Sequence, residues 1–203
     1  MTATSKGPES TRAKILRAAF TEFYKNGFQG GSLNLILDDA GTTKGALYHH
    51  FDSKEALGYA VVEEAIAEIT RVKWLQPLQV AANPLEALAD IIRSTSIRQE
   101  HVRGGCPLNN LAQEMSPLDE GFRKRIAKVF SDWQGAVVNA LRWGQEHGHI
   151  RGDVDADESA SFLLAAYEGY ISFAKNSQDP QVLQSGKKNM LCYLDTLRTR
   201  AGR

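Results

Sequence analysis

The chain has 203 residues, 24 Lys+Arg against 24 Asp+Glu and 42% hydrophobic residues. That supplies enough apolar material for a sizeable core, while no apolar run approaches the roughly 18 residues that would read as a membrane span. The even charge excludes a protein that coats nucleic acid over its whole surface, so any such footprint has to be local. Two distant cysteines, Cys106 and Cys192, do not make a disulfide framework and suit a reducing cytoplasm. The first residues lack the apolar centre of a signal peptide, and the expected location is cytoplasmic.

Residues 1–10 are polar, contain Gly7-Pro8 and read as a flexible arm. An amphipathic helix is expected over about 11–26, with Ile15, Leu16, Ala19, Phe20 and Phe23 as its buried stripe. Arg12, Lys14 and Arg17 give its start a mild positive bias. Leu33, Ile36, Leu37 and Ala40 recur at helical spacing and predict a short second helix. Gly41 stands where that helix must stop, because glycine takes positive φ at no steric cost. Thr42 or Thr43 caps a third helix, roughly 43–49. Its Thr43, Lys44, Gly45, Tyr48 and His49 are expected to face outward, with His50 turned inward. Asp52 and Ser53 cap a long helix over 54–75. Leu57, Val61, Ala65, Ile69 and Val72 form its apolar line and Pro77 ends it.

Asn83-Pro84 opens the next helix, to about Val102. A break at Arg103-Gly104-Gly105-Cys106-Pro107 precedes a short helix over 108–115. The longest helix follows, 119–147, with Phe122, Ile126, Phe130, Trp133, Val137 and Leu141 on one face. An acidic stretch at 153–157 caps a helix over 158–175, and Asp179-Pro180 opens the last, to about 198. Strand-like alternation is absent. The expected fold class is all-α, with nine helices.

A helix of some eight residues, a glycine turn and a second short helix make the helix-turn-helix plan, whose second helix enters the DNA major groove. Thr43 and Lys44 supply donors there, Gly45 lets the backbone come close, and Tyr48 and His49 carry polar tips toward phosphates or bases. By spacing alone, an ordinary helical hairpin fits equally well. Gly27-Phe28, Ala40-Gly41, Lys44-Gly45, Leu47-Tyr48, Phe51 and Lys54-Glu55 with Leu57 separate the two readings. In this register, residues 11–60 resemble the N-terminal domain of TetR-family transcriptional regulators. Leu37 departs from the family's usual alanine, and Thr42 from its usual apolar β-branched residue. Both bear on packing beneath the third helix.

The resemblance implies a nine-helix TetR-like architecture: an arm over 1–10, a three-helix DNA-binding domain over 11–53, and an effector-binding and dimerisation domain over 54–203. It implies DNA contacts at Ser32, Thr42, Thr43, Lys44, Gly45, Tyr48, His49 and Lys54, with Arg12 a weaker candidate. It also implies a ligand pocket without naming its lining. The large or polarisable candidates are Trp74, Cys106, Met115, Phe130, Trp133 and Tyr167, with plain core packing the alternative for each. Phe162, Ala166, Gly169, Tyr170 and Phe173 run down the eighth helix, and Leu183, Gly186, Met190, Leu194 and Leu197 down the ninth. Such mixed faces suit a four-helix dimer interface.

The expected protein is thus a ligand-responsive regulator, a repressor by family habit, that binds a palindromic double-stranded operator as a homodimer and answers a small-molecule effector. No cofactor, metal or membrane is implied. Glu146, His147 and His149 have no third cluster of ligands beside them, and no P-loop, Rossmann fingerprint or nucleophile elbow points to an enzyme. Cys106 would need exposure and a lowered pKa to act as a sensor, and a buried, inert thiol is the expectation. The rival from another class is a helical ligand-binding or scaffold protein without DNA function.

Overall fold

The computed structural model describes residues 9–199; the proposed arm lies outside that range except for Glu9 and Ser10. Ser10 already belongs to the fold, because its hydroxyl accepts from Ala13 N and caps the first helix. Nine helices make up the described residues: α1 (Thr11–Gly30), α2 (Leu33–Ala40), α3 (Lys44–His50), α4 (54–79), α5 in two pieces (Pro84–Ser94 and Gln99–Gly104), α6 (Pro107–Met115), α7 (Glu120–Glu146), α8 (Ala156–Ser177) and α9 (Pro180–Leu197). No strand occurs among them, only an isolated antiparallel bridge between Ile150 and Arg198. No described helix is long and apolar enough to cross a membrane.

The chain divides into two compact units. One runs to Ala67 and also takes in Asn110–Ile126; the other holds Glu68–Asn109 and the residues from Ala127 on. The first unit therefore extends beyond residue 53, for a packing reason. Phe122 of α7 is fully buried there, with its ring 4.7 Å from Phe28 and 4.9 Å from Tyr59. Gly58 of α4 makes the approach possible: a Cβ there would come within 2.6 Å of both the Phe122 and Phe28 rings. Met115, a sequence candidate for the ligand pocket, is buried in this first unit.

Local chemistry sets the helix ends. α1 runs longer than its periodicity predicts, but it bends at Gly27, whose φ of 76° favours glycine. α2 stops at Gly41, in the left-handed conformation, as its sequence position requires. α4 differs most from expectation. Two wide turns interrupt it, where Ala67 N–H reaches Val62 O and Gln76 N–H reaches Arg71 O, each five residues back. The extra residue shifts the buried line to Leu57, Val61, Val62, Ile66, Thr70 and Trp74, and leaves Ile69 and Val72 exposed. Pro77 does not end the helix, because it sits in the first turn of the segment after the second wide turn, and α4 continues to Gln79. α5 is broken where Thr95 turns extended.

In the second unit α8 packs on α9, and α9 on α5. Gly186 lets the Tyr170 ring lie against the α9 backbone, where a Cβ would meet it at 2.3 Å. Leu183, Gly186, Met190, Leu194 and Leu197 are buried within the protomer. The α9 half of the expected dimer face is thus core packing of the chain itself, because the periodicity of a buried helix is the same whichever neighbour buries it. On α8, Phe162, Gly169 and Phe173 are exposed, and Ala166 and Tyr170 are half-buried.

Candidate nucleic-acid interface

α3 is held by one side chain. Leu47 is its single buried residue, with no exposed surface, and Lys44, Gly45, Tyr48, His49 and His50 all face solvent. His50 therefore does not turn inward as expected; its ring packs edge-on against His49 at 5.1 Å. Thr43, not Thr42, is the cap, since its hydroxyl accepts from Ala46 N at 3.2 Å. Thr42 is half-buried and its N–H closes the turn on Leu37 O at 3.1 Å. Leu37, the first departure from the family pattern, is buried beneath this turn.

Ser32 caps α2, accepting from Leu35 N. Its own N–H donates at 2.9 Å to Glu22, a buried carboxylate on α1. The α1 bend beside it is held by a second acid: Glu114 of α6 accepts from Phe28 N at 2.9 Å and Gln29 N at 2.8 Å. Gly27 makes room for that carboxylate, which a Cβ would meet at 2.8 Å. Neither acid was among the sequence candidates. The only available signal was the Gly27-Phe28 pair itself, and it does not name a partner 86 residues away.

These supports bring four of the eight DNA-binding candidates together. Ser32, Lys44, Tyr48 and Lys54 line one groove of about 350 Å³, with Gly31, Asn34 and Leu37 beside them. Lys44 Nζ stands 5.9 Å from the Tyr48 ring centre. Lys54 lies over the Phe28 ring at 5.0 Å and donates to Gln29 O at 3.3 Å, so its head is partly engaged already. Thr43, Gly45 and His49 lie along exposed α3, outside the groove lining. Arg12 is committed elsewhere: it grips Glu64 with two hydrogen bonds and covers the Phe51 ring at 5.0 Å. Those hydrogen bonds hold the Glu64 carboxyl below its ordinary range.

The second unit gathers most of the ligand-pocket candidates. Trp74, Trp133 and Tyr167 form an aromatic trio with ring centres 4.8 to 5.8 Å apart, and Phe130 stacks on Trp133. Lys73 donates to the Tyr167 hydroxyl, which also meets Thr95 Oγ1 at 3.2 Å. Burial lowers the Lys73 ammonium pKa. It raises the Cys106 thiol, with Glu168 adding to the effect, so the thiol is kept protonated.

A capped, outward short helix carried on a glycine turn, with a groove of polar and cationic side chains at its foot, defines a helix-turn-helix DNA-binding protein. The family model for bacterial regulatory proteins of the tetR family matches residues 15–61, and that for the tetracyclin repressor-like C-terminal domain matches residues 81–190. The chain belongs to the TetR family. It is 32% identical to an uncharacterized HTH-type transcriptional regulator in the lacX 3′ region of Lactococcus lactis subsp. lactis, covering 87% of this chain and 89% of that one. It is 30% identical to the HTH-type transcriptional repressor DhaR of Mycobacterium sp. (strain GP1), over 79% of this chain and 80% of that one. The crystal structure of regulatory protein TetR from Rhodobacter sphaeroides superposes with a TM-score of 0.78 at 27% identity, covering 89% of this chain and 96% of that one. The protein is accordingly a transcriptional regulator and not an enzyme, and the scaffold reading without DNA function falls away.

Proposed function

We propose that this protein is a cytoplasmic repressor that binds a palindromic operator as a homodimer and releases it when a small molecule occupies the second unit. The observation that carries the reading is α3 itself: one buried residue, and a whole face of Lys44, Gly45, Tyr48 and His49 left open. A helix so presented docks without any side chain having to leave a packed position. Lys44 and Ser32 reach phosphates, and Tyr48 and Thr43 meet base edges or the backbone beside them. Lys54 adds a phosphate contact from the N-terminus of α4. One α3 reads only a few base pairs, so a pair related by two-fold symmetry is needed for an operator of useful length.

The exposed Phe162, Gly169 and Phe173 of α8, with Ala166 and Tyr170 between them, supply the self-association face. The outward side of α9 continues it through Tyr193, which packs on Phe162 at 4.5 Å. The name of the DhaR relative supports repression over activation. The effector binds the DNA-incompetent state more tightly, by the same factor by which it weakens DNA binding. α4, α6 and α7 each run through both units and are the chain segments able to carry that coupling.

Gel shifts and footprinting on the intergenic DNA flanking the gene test this reading. Wild type should protect a two-fold symmetric site. Lys44→Ala with Tyr48→Ala should lower affinity by about tenfold to a hundredfold per substitution while the helical content and Tm stay near wild type. Variants that bind as well as wild type would remove α3 from the interface.

A further inference from the structure

Glu168 of α8 is only 7% exposed. The Cys106 thiol and the Asn109 side chain meet its carboxyl by hydrogen bonds, and the Lys73 ammonium attracts it from α4. Burial outweighs all three and pushes the carboxyl up to about 7. Cys106 and Asn109 stand at the start of α6, Pro107–Met115. Asn109 also donates to Ser172 Oγ at 2.9 Å, one turn along α8 from Glu168. The first turn of α6 is thus fastened to α8 around one buried acid. Its last turn carries Glu114, which accepts from Phe28 N and Gln29 N and clamps the α1 bend. Asn109 and Glu114 are separated by only about 7.5 Å of helix.

We propose that the Glu168 carboxyl is a proton switch on operator binding, thrown through α6. Neutral, it keeps the first turn of α6 against α8, and Glu114 stays on the α1 bend. Ionised, it is a buried charge that its neighbours do not offset. That cost is relieved when this turn of α6 draws back and water reaches the carboxylate, and the far end of the helix then loosens the Glu114 clamp. The sign follows from linkage: the arrangement that buries the acid holds the proton more tightly, so falling pH favours it. Operator affinity should therefore rise as pH falls through about 7. The proposal rests on the operator-binding reading given above and adds a proton as an input to it. Groups facing Glu168 from neighbouring elements do not supply the same signal. Lys73 of α4 and Cys106 before α6 keep their charge state between pH 6 and pH 8. So does Tyr167 of α8, whose hydroxyl is pushed up by burial. On α5, Glu100, His101 and Arg103 are exposed. On α7, Lys128 and Asp132 pair with each other, and on α9 the Lys187 ammonium is held by Arg93 O and Thr95 O. Lys175 lies two turns further along α8.

Two measurements on the full-length protein test this. The first is titration of the footprinted operator at pH 6, 7 and 8 and constant salt. From pH 6 to pH 8, wild type should lose about threefold to tenfold in affinity per protomer relative to Glu168→Gln, which cannot ionise. Histidine side chains titrate in the same window, and the comparison cancels them because both proteins keep His49 and His50. Glu114→Ala should abolish the difference between the two, since the path then ends short of α1. The second measurement needs no DNA. The Phe28 and Gln29 amide resonances should move with a midpoint near pH 7 in wild type and stay in place in Glu168→Gln. If that variant does not fold, Glu168→Met takes its place. Equal pH dependence in wild type and variant, a relative affinity that rises with pH, or amides that ignore the carboxyl each overturns the switch. The two readings fail separately. A protein that binds no duplex at any pH sinks the operator reading, and the amide titration still decides whether α6 carries the signal. Amides that titrate while operator affinity stays constant sink the switch and leave the operator reading standing.

Discussion

Glu22 and Glu168 are buried to nearly the same degree, 9% and 7% exposed, and differ in what they touch. Glu22, in the DNA-binding unit, accepts from Ser32 N and fixes the entry to α2. Half-buried Glu114 in the same unit accepts two N–H groups and fixes the bend of α1. Glu168, in the other unit, stands among the Cys106 thiol, the Asn109 side chain and the Lys73 ammonium, and burial outweighs them all. One unit uses its acids to make a single rigid presentation of α3. The other keeps a carboxyl whose burial its neighbours do not offset, which is costly in the free protein. A reading head gains from having one conformation; a sensor gains from a state that a ligand can improve.

The largest expected effect separates the two regions by pH. Burial raises the Glu168 carboxyl from 4.5 to about 7. The folded state therefore binds a proton that the unfolded chain has already released between those values. Its destabilising contribution is absent below about pH 4.5, grows as pH rises, and is complete above about 7, on the order of 3 kcal/mol. Depressed carboxyls such as Glu64 act in the opposite direction and at lower pH. Lowered Lys73 costs stability at neutral pH as well, but that cost is constant from pH 5 to pH 8 and is relieved only at alkaline pH. Wild type minus Glu168→Met, measured as unfolding free energy from pH 5 to pH 8, should isolate the term: the variant gains on wild type as pH rises. A difference that stays flat across that range would mean that Glu168 finds a partner in solution, and the contrast with Glu22 would dissolve.

A smaller effect is expected on the other side of the comparison. Glu114→Ala leaves Phe28 N and Gln29 N without their acceptor, at a cost of about 1–3 kcal/mol. Operator affinity should fall because the α1 bend and the α2 entry loosen together, although Glu114 contacts no DNA on this reading. The salt slope should stay at its wild-type value, since no phosphate contact is lost. A changed slope would mean that α3 docks differently, and unchanged stability would mean that the bend needs no clamp.

The reading head was largely legible from the sequence because its determinants are local. Caps at Ser32, Thr43 and Ser53, the left-handed Gly41 and the single inward Leu47 all act within one turn of the residues they govern. The supports were not legible, because Glu114 lies 86 residues from Phe28 and no local pattern joins them. Helical periodicity also misled in α4, where two wide turns move the buried line by one residue and expose Ile69 and Val72. It misled again in α9, where an apolar stripe that reads as a dimer face is filled by Tyr170 and other residues of the same chain. The polar side of the second unit went unseen for a related reason. Aromatic candidates stand out in a sequence, whereas a buried acid on a helix, such as Glu168, looks like any solvated one.

Lys54 gives the finest test, because two demands fall on one side chain. Its stem and head cover the Phe28 ring and reach Gln29 O, which is structural work inside the reading head. It also lines the groove with Ser32, Lys44 and Tyr48, where a phosphate would sit. Lys54→Met keeps an unbranched chain over the aromatic ring and removes the charge together with the hydrogen bond to Gln29 O. If the structural role dominates, unfolding free energy falls slightly, by the ~0.5–1 kcal/mol of an exposed cation–π contact, and DNA binding keeps its salt dependence. If the ammonium meets a phosphate, stability hardly moves and the slope of log affinity against log salt drops by about 1 for each half-site. The second outcome is expected, since half-buried Lys54 spends only one of its three N–H donors on Gln29 O, and the other two are available to an incoming anion.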